Sequence, residues 1–509
     1  MVRFRWCRPQ QLVLVGWFGL AGAVAAPSDA RAFCGFFVAG SDAKLTNDAS
    51  QVVLMRRGNR TVMTMSNDYK GPPENFAMVV PVPVVLHKED VKTLPADVFD
   101  HVDSLSAPRL VEYWEQDPCA PPAPPMPMMR MAAPSAMGAL RERGGGGDLG
   151  VKIEAQFVSG EYEIVILSAT DSQGLETWLH REKYQIPAGA AAALAPYVRD
   201  RSKFFVAKVD VKKVKRDAAG VMHLSPLRFV FDANELRLPV RLGLLNAAGK
   251  QDLIVYVLNP SSRFEVANYP NVFVPTNLEV ADAVRQGFPG FYATLFDATI
   301  EKMGRKAVVT EYAWQTTSCD PCPTPPLTDS DLATLGLDAL EGVGIAIPPG
   351  GAVGGSKPGA GAVAPSRRRM PFYGAGAGWV LTRLHTRYSA ETLSEDLIFR
   401  EAKPVTGGRA NWNGTNGDAG AQVIDGGINN FQGRYIIRHY WEKPVACKEP
   451  VYDRWGGPPD NPYGKVAPTA AKGLASAPRG QVSLAKDVRS PVPSLGLPGQ
   501  HPPRRERKP

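Results

Sequence analysis

Two cysteines separated by two residues, Cys319 and Cys322, form the motif in this sequence that is most suggestive of chemistry. Thiol oxidoreductases place such a CxxC pair at the start of a helix, where the helix dipole lowers the pKa of the first thiol and supplies a reactive thiolate. Here the pair follows a predicted strand and precedes the run PTPP (323–326), in which no helix is expected. The sequence favours a structural disulfide, with thiol–disulfide exchange as the alternative.

The candidate site residues are all cysteines, because five of the six in the chain follow the predicted leader described below. In an oxidising compartment this number predicts two disulfides and one unpaired thiol, in any of fifteen arrangements. A bridge from Cys447 to the Cys319/Cys322 corner is the natural staple, and a zinc site with four of the thiolates as ligands is a less favoured alternative. The five disulfide candidates are Cys34, Cys119, Cys319, Cys322 and Cys447.

Other patterns that resemble catalytic or cofactor motifs are incomplete. The stretch from Gly243 to Gln251 resembles a phosphate-binding loop, but it is one residue too long and has Gln251 where a Mg²⁺-binding Ser or Thr is needed. The histidines are scattered, without an HxH or HExxH pairing, and no serine lies in a nucleophile-elbow pattern. We predict no catalytic, cofactor-binding or metal-binding residue, and no cofactor.

The beginning of the chain predicts export. Arg3, Arg5 and Arg8 precede an apolar run from Leu12 to Ala26, and ARA (30–32) is a small-residue cleavage site. This run is shorter than the roughly 20 apolar residues that a membrane-spanning helix needs, so a signal peptide is favoured over an uncleaved anchor. We expect cleavage near Ala32, no transmembrane anchor in the mature protein, and a secreted, periplasmic or outer-surface location.

The formal charge of +8 belongs to the two ends of the chain. Residues 1–32 hold four arginines and one aspartate, and residues 479–509 hold seven basic and two acidic residues, so the middle of the chain is neutral. This distribution argues against nucleic-acid binding. The tail, with Arg504, Arg505, Arg507 and Lys508, could contact an anionic envelope surface, and the alternative is a disordered end that only aids solubility.

The apolar pattern of the middle predicts short strands that alternate irregularly with isolated helices. QVVLMR (51–56) and TVMTMSN (61–67) flank a short turn with Gly58, which is typical of a β-hairpin, and residues 76–83 follow as a third strand. Helices are predicted over 95–105, 174–182, 190–199 and 288–303. The fold class is α+β, with mainly antiparallel sheets, a few packed helices, and long disordered loops and tail.

An internal similarity suggests two related lobes, with chance resemblance as the alternative. The same pattern, a predicted strand followed by cysteine and proline, occurs twice: in EYWEQDPC (112–119), and in EYAWQ (311–315) followed by CDPC (319–322). The predicted organisation is a signal peptide over 1–32, a first α+β lobe over 33–119, a flexible Pro/Met/Gly loop over 120–150, a second lobe over 151–340, a Gly/Ala/Pro linker over 341–370, a small β-rich block that packs on the body over 371–457, and a disordered basic tail over 458–509.

Several stretches that occur in order resemble an uncharacterised family of secreted bacterial proteins known only as a domain of unknown function. They include FCGFFVAGSDAKLTN (33–47), NDYKGPPENFAMVVPVPVV (67–85), LVEYWEQDPC (110–119) and IVILSATDSQGLETWL (164–179). The resemblance covers about residues 33–322, with a further similar block at 379–459. It implies secretion and one long family domain, and it supplies no catalytic residue, cofactor or substrate.

These observations predict a secreted or cell-envelope protein that acts as a non-catalytic binding or structural module. The alternative is an enzyme, which is either a thiol–disulfide exchange protein that uses Cys319 and Cys322 or a hydrolase whose site is not recognisable in the sequence.

Overall fold

The computed structural model describes residues 35–39, 49–69, 76–120, 147–148, 151–216, 222–247, 249–340, 379–408 and 423–500, except for seven positions between 463 and 481. The predicted leader, Cys34, most of the loop 120–150, the linker 341–370 and residues 501–509 lie outside the described residues.

The described chain contains many short strands and a few helices. The strands are β1 Phe36–Ala39, β2 Ala49–Arg57, β3 Arg60–Tyr69, β4 Phe76–Val82, β5 Val91–Thr93, β6 Arg109–Glu115, β7 Gly147–Asp148, β8 Val151–Ser159, β9 Tyr162–Ala169, β10 Lys203–Val209, β11 Lys215–Arg216, β12 Met222–Asp232, β13 Leu236–Leu238, β14 Gln251–Asn259, β15 Arg263–Val266, β16 Asn271–Phe273, β17 Leu278–Glu279, β18 Val308–Gln315, β19 Val380–Tyr388, β20 Leu397–Ala402, β21 Val405–Gly407, β22 Ile424–Asp425, β23 Asn430–Gln432, β24 Arg434–His439, β25 Trp455–Gly456 and β26 Thr469–Ala470. The helices are α1 Asp97–Ser106, α2 Ser172–Arg181, α3 Ala190–Arg199, α4 Phe288–Glu301, α5 Asp329–Leu332, α6 Asp338–Leu340 and α7 Leu484–Asp487.

A six-stranded antiparallel sheet forms one layer, in the order β1-β4-β10-β9-β8-β7. Alternate residues of its inner strands face opposite sides, as a pleated strand requires. Phe204 packs with Leu175 and Leu194 of α2 and α3, whereas Phe205 packs against the second sheet. Because both faces are covered, every residue of β4 is buried.

The second layer is a twelve-stranded sheet with the central order β12-β3-β2-β14-β19-β18-β23. Most of its pairs are antiparallel, and β2 and β14 are parallel. One face packs on the six-stranded sheet, and the other buries Phe99 and Val102 of α1 together with Leu332 and Leu335. The strands of this sheet carry the polar residues that are described below.

A third core lies around α4, which packs against a five-stranded sheet made of β17, β24, β6, β25 and β26. The apolar residues of α4 recur at helical spacing, and Phe288, Phe291, Leu295 and Phe296 are fully or almost fully buried. No helix of the described chain is long and apolar enough to span a membrane.

The α+β prediction and the main local elements are confirmed. The hairpin joins β2 to β3 with Gly58 at φ +58° in its turn, and the four predicted helices appear as α1 to α4. The third predicted strand does not join the hairpin, because β4 belongs to the six-stranded sheet while β2 and β3 belong to the twelve-stranded one. Likewise the strand with Glu112 lies in the five-stranded sheet, and the strand with Glu311 lies in the twelve-stranded sheet.

Strand pairing crosses the boundaries that the sequence suggests between lobes. Strands β2 and β3, from the predicted first lobe, pair with β14 and β12 of the predicted second lobe. Strand β19, from the predicted C-terminal block, lies between β14 and β18 at the centre of the sheet. The described residues of these three regions therefore share one set of sheets.

The expectation of disorder from residue 458 onward needs correction for the described part of that segment. Strand β26 pairs with β6, and Ala471, Leu474, Val488 and Val492 are buried in the core around α4. The segment contains few apolar residues, and for this reason its sequence predicts disorder. A few well-spaced apolar residues are nevertheless enough to hold it on an existing core.

Candidate functional site

The described cysteines form two disulfides. Cys119 is bonded to Cys447, and Cys319 is bonded to Cys322. The predicted bridge between Cys447 and the Cys319/Cys322 corner is therefore wrong, and these four sulfurs are not zinc thiolates. Among the described residues no group of three or more His, Cys, Asp or Glu side chains could hold a metal ion. The fifth candidate, Cys34, lies outside the described residues.

Parallel pairing explains the partner of Cys119. Strand β24 runs parallel to β6, with His439 opposite Trp114, so the chain leaves both strands at the same edge of the sheet. Cys119 follows β6 by four residues and Cys447 follows β24 by eight, which brings their Cα atoms to 5.6 Å. The bridge closes a loop with a sequence separation of 328 residues.

The Cys319–Cys322 bridge lies in the loop between β18 and α5. The next helix begins only at Asp329, so no helix N-terminus faces either sulfur. Three side chains from other elements contact backbone carbonyls of this loop. Arg109 Nη1 donates to the Pro321 oxygen at 2.7 Å, Gln432 Nε2 donates to the Asp320 oxygen, and His101 Nε2 lies 2.9 Å from the Pro325 oxygen.

A buried cluster of charged side chains lies on the twelve-stranded sheet, where β14, β18 and β19 are neighbours. Arg383 of β19 is fully buried between two carboxylates, with Nε 2.5 Å from Glu311 Oε2 and Nη1 2.5 Å from Asp103 Oδ1. Two tyrosine hydroxyls also donate hydrogen bonds to these carboxylates: Tyr256 donates to Asp103 at 2.7 Å and Tyr292 donates to Glu311 at 2.6 Å.

His385 continues this cluster two residues further along β19, on the same face of the strand. Its Nδ1 lies 2.7 Å from Glu311 Oε1 and its Nε2 lies 3.1 Å from Asp252 Oδ1, while its ring stacks on Phe296 at 3.9 Å. Carboxylate oxygens accept hydrogen bonds, so both ring nitrogens must donate. This geometry specifies the charged imidazolium form of His385.

Two arginines finish the cluster at its outer end. Arg479, from the C-terminal segment, donates to Asp252 at 3.0 Å and to Asp297 of α4 at 2.6 Å, and Arg387 lies 3.3 Å from Asp297. Four carboxylates thereby face three guanidinium groups and one imidazolium. We call this balanced set the interior charge network; it consists of Asp103, Asp252, Asp297, Glu311, Arg383, His385, Arg387 and Arg479.

The charges of the network control its protonation. Burial alone would raise the pKa of Glu311, but the positive charges of His385 and Arg383 outweigh it and lower that pKa to about 2. Burial alone would lower the pKa of His385, but the negative charge of Glu311 and the hydrogen bonds to Asp252 and Glu311 raise it above the usual 6.5. Burial and the nearby carboxylates also raise the pKa of Tyr256 and Tyr292 well above 10.

These shifts predict how stability depends on pH. The pKa of Glu311 is depressed, so its contribution is present above pH 4.5 and is lost as the pH falls toward 2; over that range it amounts to about 3 kcal/mol. The pKa of His385 is raised, so its contribution is present below pH 6.5 and is lost as the pH rises through the folded-state value. We expect these two groups together to stabilise the protein most between about pH 4.5 and 6.5, as measured by urea unfolding at a series of pH values.

Two single variants separate these limbs of the pH profile. Glu311→Gln should flatten the acid limb and also weaken the alkaline limb, because the charge of Glu311 raises the pKa of His385. His385→Gln should remove the alkaline limb and make the acid limb shallower, because the charge of His385 helps to lower the pKa of Glu311. An acid limb that is as steep in Glu311→Gln as in the parent protein would contradict the assignment.

Two cavities lie outside the network, on opposite sides of residues 233–237. One, of about 410 Å³, is lined by Pro81, Pro83, Tyr197, Phe231, Arg237 and Asp396. The other, of about 420 Å³, is lined by Arg56, Asn234, Asn259, Phe264, Arg400 and Glu401. The carboxylate of Asp396 is already bound by the Tyr197 hydroxyl at 2.7 Å and the Arg241 guanidinium at 2.9 Å. Neither cavity is lined by a member of the interior charge network.

Sequence reasoning did not find the network. In the sequence, Glu311 is part of a repeated strand motif, and His385 is one of several scattered histidines. Asp252, Glu311 and His385 lie on three strands and are more than 50 residues apart from one another in the chain, and their register follows from the folded sheet. The one available signal is local, since Arg383, His385 and Arg387 alternate along β19.

Comparison with known proteins gives one match. The family described as an uncharacterized protein conserved in bacteria, DUF2330, matches residues 28–400. No curated protein and no solved structure matches the chain. The matched range contains β1 to β19, and therefore every member of the network except Arg479.

Proposed function

We propose that this protein is exported and acts in the cell envelope or outside the cell as a non-catalytic binding or structural module. The chain belongs to the DUF2330 family of uncharacterised bacterial proteins. The observation that carries the proposal is the placement of its convergent acidic and basic groups. They pair with one another inside the fold, and none of them lines either of the two cavities beside residues 233–237.

Export is supported by two independent features. The arginines and the apolar run before Ala32 have the pattern of a signal peptide, and cleavage there would leave a mature chain that begins near Phe33. The two disulfides favour an oxidising compartment, because cytoplasmic thiols are normally kept reduced.

A non-catalytic role is supported by the chemistry of the interior. A general acid or base needs a pKa near the working pH and access to a substrate. Glu311 has its pKa near 2 and is fully buried, and the His385 side chain is 1% exposed with both nitrogens occupied. The two cavities beside residues 233–237 are candidate sites for a small ligand.

The competing function is thiol–disulfide catalysis at Cys319 and Cys322, which the surface position of Cys322 favours. Titration of the purified mature protein with a chromogenic thiol reagent separates the two. We expect no reactive thiol from Cys119, Cys319, Cys322 or Cys447 in the native protein, and at most one, from Cys34. A fast-reacting pair that disappears in the double variant Cys319→Ser, Cys322→Ser would favour the enzyme, and so would turnover of a disulfide substrate.

The basic tail is the part of the chain that we propose to contact an anionic envelope surface. Arg479 forms ion pairs with Asp252 and Asp297, and Arg489 forms one with Glu279. We therefore assign this role to the four basic residues 504, 505, 507 and 508. Deleting residues 501–509 should reduce binding to anionic vesicles; equal binding by the truncated and full chains would end this part of the proposal.

A further inference from the structure

The two cysteines of the Cys319–Cys322 bridge differ in their exposure to solvent. Cys322 is exposed, whereas Cys319 is half-buried against the core that contains Trp314 and Leu327. An incoming thiol therefore has access to Cys322, and the sulfur of Cys319 is the leaving group that stays against the protein.

The same loop connects elements that are distant in the chain. Its carbonyl oxygens accept hydrogen bonds from Arg109 of β6 and Gln432 of β23, and His101 of α1 contacts the Pro325 oxygen. Arg109 and Gln432 are fully buried. Displacing the loop would leave their donors without these acceptors, which is unfavourable for buried polar groups.

We propose that the Cys319–Cys322 bridge is a thiol–disulfide exchange site, attacked at Cys322, whose reduction releases the 316–327 loop from β6 and β23. The reductant is a dithiol, such as a dithiol protein of the envelope. One of its thiolates bonds to Cys322 Sγ as the bond to Cys319 breaks, and Cys319 leaves as a thiolate that takes up a proton. The second thiol then attacks the mixed disulfide and leaves Cys322 reduced, and the dithiol is oxidised to a disulfide.

The length of the loops distinguishes this bridge from Cys119–Cys447, which also has an exposed cysteine. In the chain-entropy description, a disulfide stabilises the fold more when it closes a longer loop. The separations are 3 residues for Cys319–Cys322 and 328 residues for Cys119–Cys447. The fold therefore loses little stability when the short bridge opens, and much more when the long one does.

The surroundings of the sulfurs suit a reversible latch and not a catalyst. Cys322 Sγ lies 3.0 Å from the Cys319 oxygen, which can accept a hydrogen bond from the thiol after reduction. The helix N-terminus that activates the first thiol of oxidoreductases is missing beside this pair in the described chain.

The test is a reductant titration of the folded, full-length mature protein with dithiothreitol, followed by acid quenching, alkylation and peptide mass spectrometry. We expect Cys319–Cys322 to open at a dithiol concentration at which the protein stays folded and Cys119–Cys447 remains intact. With excess glutathione, the mixed disulfide should form on Cys322 and not on Cys319. Limited proteolysis of the reduced protein should show faster cleavage within residues 316–327.

The double variant Cys319→Ser, Cys322→Ser should reproduce the faster cleavage without reductant. If that variant does not fold, the titration of the parent protein is sufficient to test the proposal. The proposal is overturned if the two bridges open together, if the short bridge opens only in denaturant, or if glutathione attaches to Cys319. Unchanged proteolysis after selective reduction would also overturn it.

Discussion

Replacing Arg383 with methionine is expected to lower the free energy of unfolding by about 3–5 kcal/mol. Methionine fills much of the same space, but it leaves Glu311 and Asp103 as neighbouring buried carboxylates without their shared cation. The pKa of Glu311 would then rise, because Arg383 helps to lower it, so the loss of stability should shrink as the pH is lowered. Equilibrium unfolding in urea at pH 7 and pH 5 measures both effects.

Arg400→Met is the matched control on the next strand of the chain. Arg400 pairs with Glu265 at 2.9 Å, but its side chain is 58% exposed, so this ion pair is screened by water. We expect a change within about 0.5 kcal/mol. If Arg383→Met were as mild as Arg400→Met, the interior charge network would not be the structural element described here.

Removing the long bridge with the double variant Cys119→Ser, Cys447→Ser is expected to lower the free energy of unfolding by about 4–5 kcal/mol. The bridge closes a loop with a sequence separation of 328 residues, so its loss frees a large number of denatured conformations. It also joins the ends of β6 and β24, whose pairing should fray first when the bridge is gone. Urea unfolding and hydrogen exchange of β6 and β24 measure the two effects.

The double variant Cys319→Ser, Cys322→Ser is the control for loop length. It removes the same kind of bond from a loop of only 3 residues separation, for which chain entropy predicts a loss of about 1–2 kcal/mol. Equal losses in the two double variants would show that chain closure is not what makes the long bridge important.

Local structure was largely predictable from the sequence. The apolar spacing that predicts α1 to α4 lies entirely within each helix. The hairpin of β2 and β3 needed only alternating apolar residues and a glycine turn.

Long-range pairing was not predictable in the same way. The parallel contact between β2 and β14 joins residues about 200 positions apart, and a strand of continuous apolar residues carries no mark of its partner. For the same reason the cysteine pairs could not be chosen among fifteen arrangements. The parallel register of β24 on β6 brings Cys447 to Cys119, and only the folded sheet supplies that register.

The protonation state of His385 tests most directly whether the convergent charges of this protein hold its fold together. Nitrogen NMR of the protein labelled with ¹⁵N-histidine distinguishes imidazolium from either neutral tautomer, and His385→Gln assigns the signal. We predict that both nitrogens of His385 stay protonated as the pH rises above 6.5, where an ordinary histidine becomes neutral. A neutral ring at pH 7, titrating near the ordinary value of 6.5, would contradict the account, because it would reveal an accessible acid–base group where we describe a sealed structural one.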